Sequence, residues 1–329
     1  MDDALRSCFA CVDAWAYSVC LPVGLYRVEH PEGASEHMAS KIRYVPHVLA
    51  ELLLPRNFNR QPETDSIMDR PDQVEAYSAA GSSGGGVFAV HLFHAACMSQ
   101  TINGARKVLD LACGPATQLL LTAKLHPGIH FVGVDLAPRM LEIAEQNRVK
   151  AGLTNVEFRQ GDITDLNRFK GEGFEAITST LALHHLDTSK DLLQCGQQIR
   201  NLMDTNTRVY LADLLRPKRH RTVEFLTEQS SDIQPKVFND DFRNSMRAAF
   251  QKSDFDRIAR EFLPTCEVLS MFPLSLFVIV RTRPNPLSDS VKMALAKELS
   301  TQPARVIRDL DEIRMFFRLG GLKLDSIIA

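Results

Sequence analysis

VLDLACGPATQLL, residues 108–120, decides how the chain folds. A core strand at 108–111 runs into a turn of small residues, Ala112-Cys113-Gly114-Pro115-Ala116-Thr117, and then into a helix. Asp110 stands inside the apolar run, where an unpaired charge is costly. Small residues in a strand-to-helix turn let the backbone approach a ligand closely. The turn is not the G-x-G-x-x-G of a dinucleotide site, and it is not a phosphate loop, because no G-K-[ST] follows. It makes no clear provision for a pyrophosphate, and Asp110 is placed to meet a positive or hydroxylated group of a ligand.

Outward from this stretch the pattern alternates. Strands are expected at 107–112, 130–135, 156–161, 174–180 and 208–213, with helices at 116–125, 138–151 and 189–203. Strands separated by helices of this length imply crossovers and a parallel sheet. The run 217–264 reads as polar and helical, and 266–271 with 276–281, around Pro273, as a final strand pair. The expected fold is α/β: a Rossmann-like, doubly wound, mostly parallel seven-stranded sheet with helices added at both ends. Three regions are expected: an N-terminal helical cap and loose segment at 1–87, a core at 88–283 with a helical insertion at about 217–264, and a helical extension at 284–329.

Composition excludes several classes. Of 329 residues 45% are hydrophobic and 24% charged, as in ordinary globular domains. The net charge of -2 gives no basic field for nucleic acid or anionic lipid. The longest apolar run, 268–280, is interrupted by Ser and Pro and is too short to span a bilayer. Seven scattered cysteines and a start without a basic n-region point to a cytoplasmic protein. The expected partner is a small-molecule substrate, without nucleic acid or membrane.

Two more acidic residues stand at expected strand ends. Gly133-Val134-Asp135-Leu136 closes the second strand, where an acidic side chain accepts the hydroxyls of a ribose. Gln160-Gly161-Asp162-Ile163 closes the third, where a carboxylate can take an exocyclic amine. Ligands bind in such sheets at the carboxyl edge of the strands.

At this point VLDLACGPATQ, VGVDLAPRMLEIA, RQGDITDL and STLALHHLDTSKDLL resemble, in order and spacing, the successive motifs of class I S-adenosylmethionine-dependent methyltransferases. The resemblance covers roughly residues 70–281 and is nearest to small-molecule enzymes. It implies S-adenosyl-L-methionine as cofactor. It assigns Asp110 and the 112–116 turn, including Ala112, Cys113 and Gly114, to the methionine part. Asp135 goes to the ribose with Leu136 and Met140 nearby, Asp162 and Ile163 to adenine, and Thr180 and Leu181 to the sulfonium end. One departure is visible: Ala112 and Ala116 stand where the family usually has glycine.

Other features have competing readings. His184 and His185 follow the fourth strand, and either is a candidate base for a hydroxyl or amine acceptor. The bland alternative is a packing histidine. Methyl transfer is an in-line displacement that alignment alone can accelerate. Tyr77 falls in a segment that folds over the cofactor in similar enzymes, or is an ordinary helix aromatic. Cys8 and Cys11 lack the second pair that zinc needs, so no metal is expected. The basic run 216–221 either meets an anionic acceptor or is a solvated loop. The terminal helices are expected to cap the pocket or to form a homodimer interface. Two other functions share the fold: a methyltransferase-like binding or regulatory protein without catalysis, and an NAD(P)-dependent oxidoreductase.

Overall fold

The computed structural model describes residues 43–63, 81, 85–229 and 234–323. The sheet lies entirely within the compact unit formed by residues 47–329.

Seven strands form one sheet in the order β3-β2-β1-β4-β5-β7-β6. They are β1 (Lys107–Leu111), β2 (His130–Asp135), β3 (Val156–Gln160), β4 (Ala176–Thr180), β5 (Arg208–Leu214), β6 (Cys266–Ser270) and β7 (Phe277–Thr282). The first five pair in parallel. β7 runs antiparallel to β5 and β6, so the last pair closes one edge. The expected alternation is therefore observed, with boundaries shifted by two residues at most.

The helices in chain order are α1 (Val45–Leu53), α2 (Phe88–Ile102), α3 (Thr117–Leu125), α4 (Pro138–Ala151), α5 (Ser189–Leu202), α6 (His220–Glu228), α7 (Lys236–Ala248), α8 (Lys252–Phe262), α9 (Asp289–Ser300) and α10 (Ala304–Leu319). Local signals explain their ends. Pro138 starts α4 with its φ preset, and Gly152 ends it in the left-handed region at φ 66°. Thr188 and Asp191 form a reciprocal capping box at the start of α5.

Side chains along a strand alternate between the two faces of the sheet. In β5, Tyr210, Ala212 and Leu214 enter the core on the α2 side, while Val209 and Leu211 enter the opposite core. In β1, Leu109 and Leu111 face that opposite core, and Val108 shares the α2 side. Helix α2 is buried on every side, its polar residues His91, His94, Ser99, Gln100 and Thr101 included. It lies between the sheet and α10, with Phe93 stacked on Phe317 at 4.8 Å between ring centroids. Val291, Leu295, Val306 and Leu310 join the same core, so α9 and α10 are built into it.

The sheet order reverses between β1 and β4. Crossovers leave on opposite sides there, which opens a crevice at the carboxyl ends of the strands.

Candidate functional site

A cavity of about 410 Å³ lies in that crevice. Thirteen of the fourteen candidate residues line it: Asp110, Ala112, Cys113, Gly114, Asp135, Leu136, Met140, Asp162, Ile163, Thr180, Leu181, His184 and His185. The fourteenth, Tyr77, lies outside the described residues, as do Cys8 and Cys11.

Asp110 is buried at the end of β1, opposite Gly133 on one side and Thr178 on the other. Its Oδ1 accepts a hydrogen bond from Thr178 Oγ1 at 2.6 Å. Burial pushes its carboxyl up to about 7, against that hydrogen bond and with a push from the Asp135 charge. A carboxylate in such a place is destabilised until a cation or donor joins it.

The turn after β1 holds three left-handed positions at alternate residues: Ala112 at φ 52°, Gly114 at 53° and Ala116 at 62°. This bends the backbone round the tip of β2. Gly114 N–H donates to Asp135 Oδ2 at 2.8 Å, and Ala137 N–H to Asp135 Oδ1 at 2.9 Å. Burial pushes the Asp135 carboxyl above its ordinary value, and these two N–H groups oppose the push. Leu136 exposes an apolar face beside it, Ile163 is buried at the β3 tip, and Gln160 ties the two tips by donating to the Leu136 carbonyl. Asp162 is exposed, with Oδ1 accepting from the backbone N–H and hydroxyl of Thr164, both at 2.8 Å. Leu181, after β4, is also left-handed at φ 53°, a strained conformation for a leucine of the kind found at functional sites.

Beyond β4 the wall becomes polar. His184 Nδ1 lies 2.6 Å from Oδ1 of Asp213, whose Oδ2 accepts from the His184 N–H at 2.7 Å. Burial alone would lower the His184 pKa; the contacting Asp213 carboxylate reverses this and raises it. His185 Nδ1 lies 2.8 Å from Glu63 Oε2, and Ser245 Oγ donates to Glu63 Oε1 at 2.8 Å. Burial would raise the Glu63 carboxyl, but the histidine contact and Ser245 hold it down at about 2. Asp241, also on the cavity, is pushed up to about 6 by burial and by the Glu63 charge, against the two histidines. Glu63, His184 and His185 each offer one ligand atom, all within 4.8 Å of one another, the one such group of three found among the described residues.

Asp213, Glu63, Asp241, Arg60 and His91 are absent from the sequence-based assignment. Asp213 had a signal: it interrupts the apolar run VYLADLL as Asp110 interrupts VLDLAC. Glu63 and Arg60 had none, because they arrive from an irregular stretch. Arg60 donates to the carbonyls of His184, Leu186, Asp187 and Ala248, and lies over the Phe250 ring at 4.0 Å. It holds the segment carrying Glu63 against the segment carrying the histidines. His91, on α2, is buried and lines the cavity; burial holds its pKa down at about 4, against a contact with Gln118.

The insertion supplies Phe238, Asp241, Phe242 and Ser245 to the cavity through α7. α9 and α10 contribute no lining residue, so they do not cap it. The basic run is not simply solvated: Arg216 is buried, and the Lys218 and Arg219 N–H groups donate to Glu51 of α1. None of residues 216–221 lines the cavity.

Residues 102–262 match a protein family described as a methyltransferase domain. The match covers just under half of the chain and contains β1–β5 and the cavity-lining residues that follow them. The chain is similar to a demethylmenaquinone methyltransferase of Thermotoga maritima, 32% identical over 115 residues, which are 35% of this chain and 46% of that protein. It is also similar to a ubiquinone biosynthesis O-methyltransferase of Paracidovorax citrulli, 26% identical over 96 residues, 29% of this chain and 40% of that protein. The chain thus spans less than half the length of these curated relatives. Among solved structures it shares its fold with the plantazolicin methyltransferase BpumL in complex with SAH, at TM-score 0.51 and 15% identity, covering 82% of this chain and 95% of that one. No helix among the described residues is long and apolar enough to cross a membrane.

Proposed function

We propose that the chain is a cytoplasmic methyltransferase that takes the methyl group of S-adenosyl-L-methionine to a hydroxyl or amine of an apolar small molecule. The observation that carries this reading is Asp110: a buried carboxylate at the β1 tip, without a cationic partner among the described residues, on one cavity with Asp135 and Asp162 at the two neighbouring tips.

The residues fit that cofactor. Asp110 meets the ammonium of the methionine part, and the 112–116 turn is small enough to let that part approach. Asp135, at the end of β2, takes the ribose hydroxyls through the lone pairs its two backbone donors leave free. Leu136 and Ile163 flank the adenine, and Asp162 takes its exocyclic amine. Thr180 and Leu181 would border the sulfonium end, and Met140 would lie near the ribose. When bound, the cofactor supplies a methyl carbon whose bond to sulfur breaks as the acceptor's bond forms, the electron pair returning to sulfur.

The chain's own work is alignment and proton removal. Val87, Val90, Leu214, Phe238, Phe242 and Phe277 make an apolar acceptor wall. Two relatives are named for demethylmenaquinone and for ubiquinone biosynthesis, and an apolar ring compound suits this wall. The His184–His185 wall takes the acceptor's proton. Asp213 holds Nδ1 of His184, which leaves Nε2 as the accepting nitrogen. A homodimer would use the outward sides of α9 and α10, where Met293 and Leu319 are exposed, since their inward sides are packed on the core.

The test is transfer of an isotopically labelled methyl group to a panel of hydroxylated and aminated ring compounds. The reading predicts labelled product with at least one acceptor class and none with Asp110→Ala. Tight binding of S-adenosylhomocysteine without transfer to any acceptor favours the non-catalytic binding protein instead.

A further inference from the structure

We infer that Glu63, His184 and His185 form a site for one divalent transition-metal ion at the acceptor end of the cavity. Two imidazoles and one carboxylate are a donor set suited to zinc and its neighbours, and they leave a coordination position open for a further ligand.

Three features support the assignment. The first is convergence: one ligand atom from each residue lies within 4.8 Å of the other two. Ligands on a tetrahedral ion, with bonds of about 2.1 Å, stand roughly 3.4 Å apart, so closing the set needs shifts of about an ångström. The second is the shell behind it. Metal-bound histidines characteristically donate their other ring N–H to a carboxylate, and ligating carboxylates are themselves hydrogen-bonded. Buried Asp213 stands at Nδ1 of His184, and Ser245 donates to Glu63 Oε1. The third is charge. Asp213, Glu63 and Asp241 crowd around two imidazoles, and Asp241 is left without an ion-pair partner in contact among the described residues. An ion supplies the positive charge.

Arg60 makes the site possible, because it locks the Glu63 segment onto the carbonyls of the loop that carries both histidines. With the ion bound, His184 is a ligand rather than a free base. The ion would then bind the acceptor oxygen or nitrogen and lower its pKa, so that the acceptor's proton passes to solvent water at the cavity mouth without a histidine base. This role rests on the methyl-transfer reading; the ion site itself does not.

The experiment is calorimetric titration of the chelator-stripped full chain with Zn²⁺ and, separately, Mg²⁺, alongside titration with S-adenosylhomocysteine. We expect one equivalent of Zn²⁺ and no Mg²⁺, binding at least tenfold weaker in Glu63→Gln and 10- to 100-fold weaker in Asp213→Asn. The chain also has seven cysteines, so Co²⁺ absorption of the unmutated chain is the second readout. A spectrum of nitrogen and oxygen ligation supports the site. Thiolate-to-cobalt charge transfer, no stoichiometric binding, or binding unchanged in Glu63→Gln overturns it. Binding of S-adenosylhomocysteine without Zn²⁺ removes the ion site alone; Zn²⁺ binding without S-adenosylhomocysteine removes the methyl-transfer reading alone.

Discussion

At the residue scale the site runs on carboxylates, two of which, Asp110 and Asp213, are buried. Asp110 has a folded-state pKa of about 7, above its ordinary value because of burial. The sign follows: the native chain binds this proton more tightly than the unfolded chain, so stability falls as pH rises from about 4 to about 7 and then levels. Asp110→Asn should therefore raise the midpoint of thermal unfolding of the ligand-free protein. The gain should grow across that pH window and be constant above it, while S-adenosylhomocysteine binding weakens by at least tenfold. A gain that shrinks toward pH 8 contradicts the assignment. Asp213 plays a different part. Asp213→Asn removes the charge that orients His184 and should lower turnover by about 10²-fold or more, with little change in cofactor affinity. Equal losses in turnover and cofactor affinity would mean that the pair is only structural. Asp110 and Asp135 were legible in the sequence because each interrupts or ends an apolar run at a strand tip, and Asp162 because it follows the third expected strand. Glu63 was not, because its partner His185 is 122 positions away and only the fold brings them together.

At the element scale the decisive piece is the β1–α3 turn. Ala112 and Ala116 occupy left-handed backbone, which for a residue with a Cβ costs on the order of 1 kcal/mol each. The sequence raised the question; only the backbone angles answer it. With alanine at both positions the turn aims the Gly114 N–H at Asp135. Ala116→Gly should raise stability by up to about 1 kcal/mol, read as a higher denaturant midpoint at unchanged slope. A destabilised Ala116→Gly protein would mean that the Ala116 side chain, fully buried, contributes more by packing than its backbone strain takes away. Nearby, Gly133 shows why β2 needs a glycine: a Cβ there would stand 2.8 Å from Phe158 and 2.9 Å from both Cys113 Sγ and Leu119. The strands and helices themselves were legible from periodicity. The position of α7 over the cavity was not, because an amphipathic helix says which side is buried but not what it is buried against.

At the scale of the whole molecule, the C-terminal helices looked like additions and are instead part of the core. Phe317 stacks on Phe93, and Val306 and Leu310 are buried with it. Removing residues 287–329 should expose the α2 face and unfold or aggregate the protein, as read by loss of a cooperative thermal transition. A truncated chain with its transition intact would show that α9 and α10 are dispensable to the core. The functional reading stands on one claim: that the crevice at the carboxyl edge of β1, β2 and β3 is built for an adenosyl cofactor. The most direct test is thermal unfolding of the full chain, alone and with S-adenosylhomocysteine, S-adenosylmethionine or NADH, repeated for Asp135→Ala. A ligand at 100 times its dissociation constant stabilises the native state by about 2.7 kcal/mol, a rise of several degrees. The expected result is that rise with the two adenosyl ligands only, and its loss in Asp135→Ala. A rise with NADH alone, or with the adenosyl ligands but unchanged in Asp135→Ala, contradicts the claim.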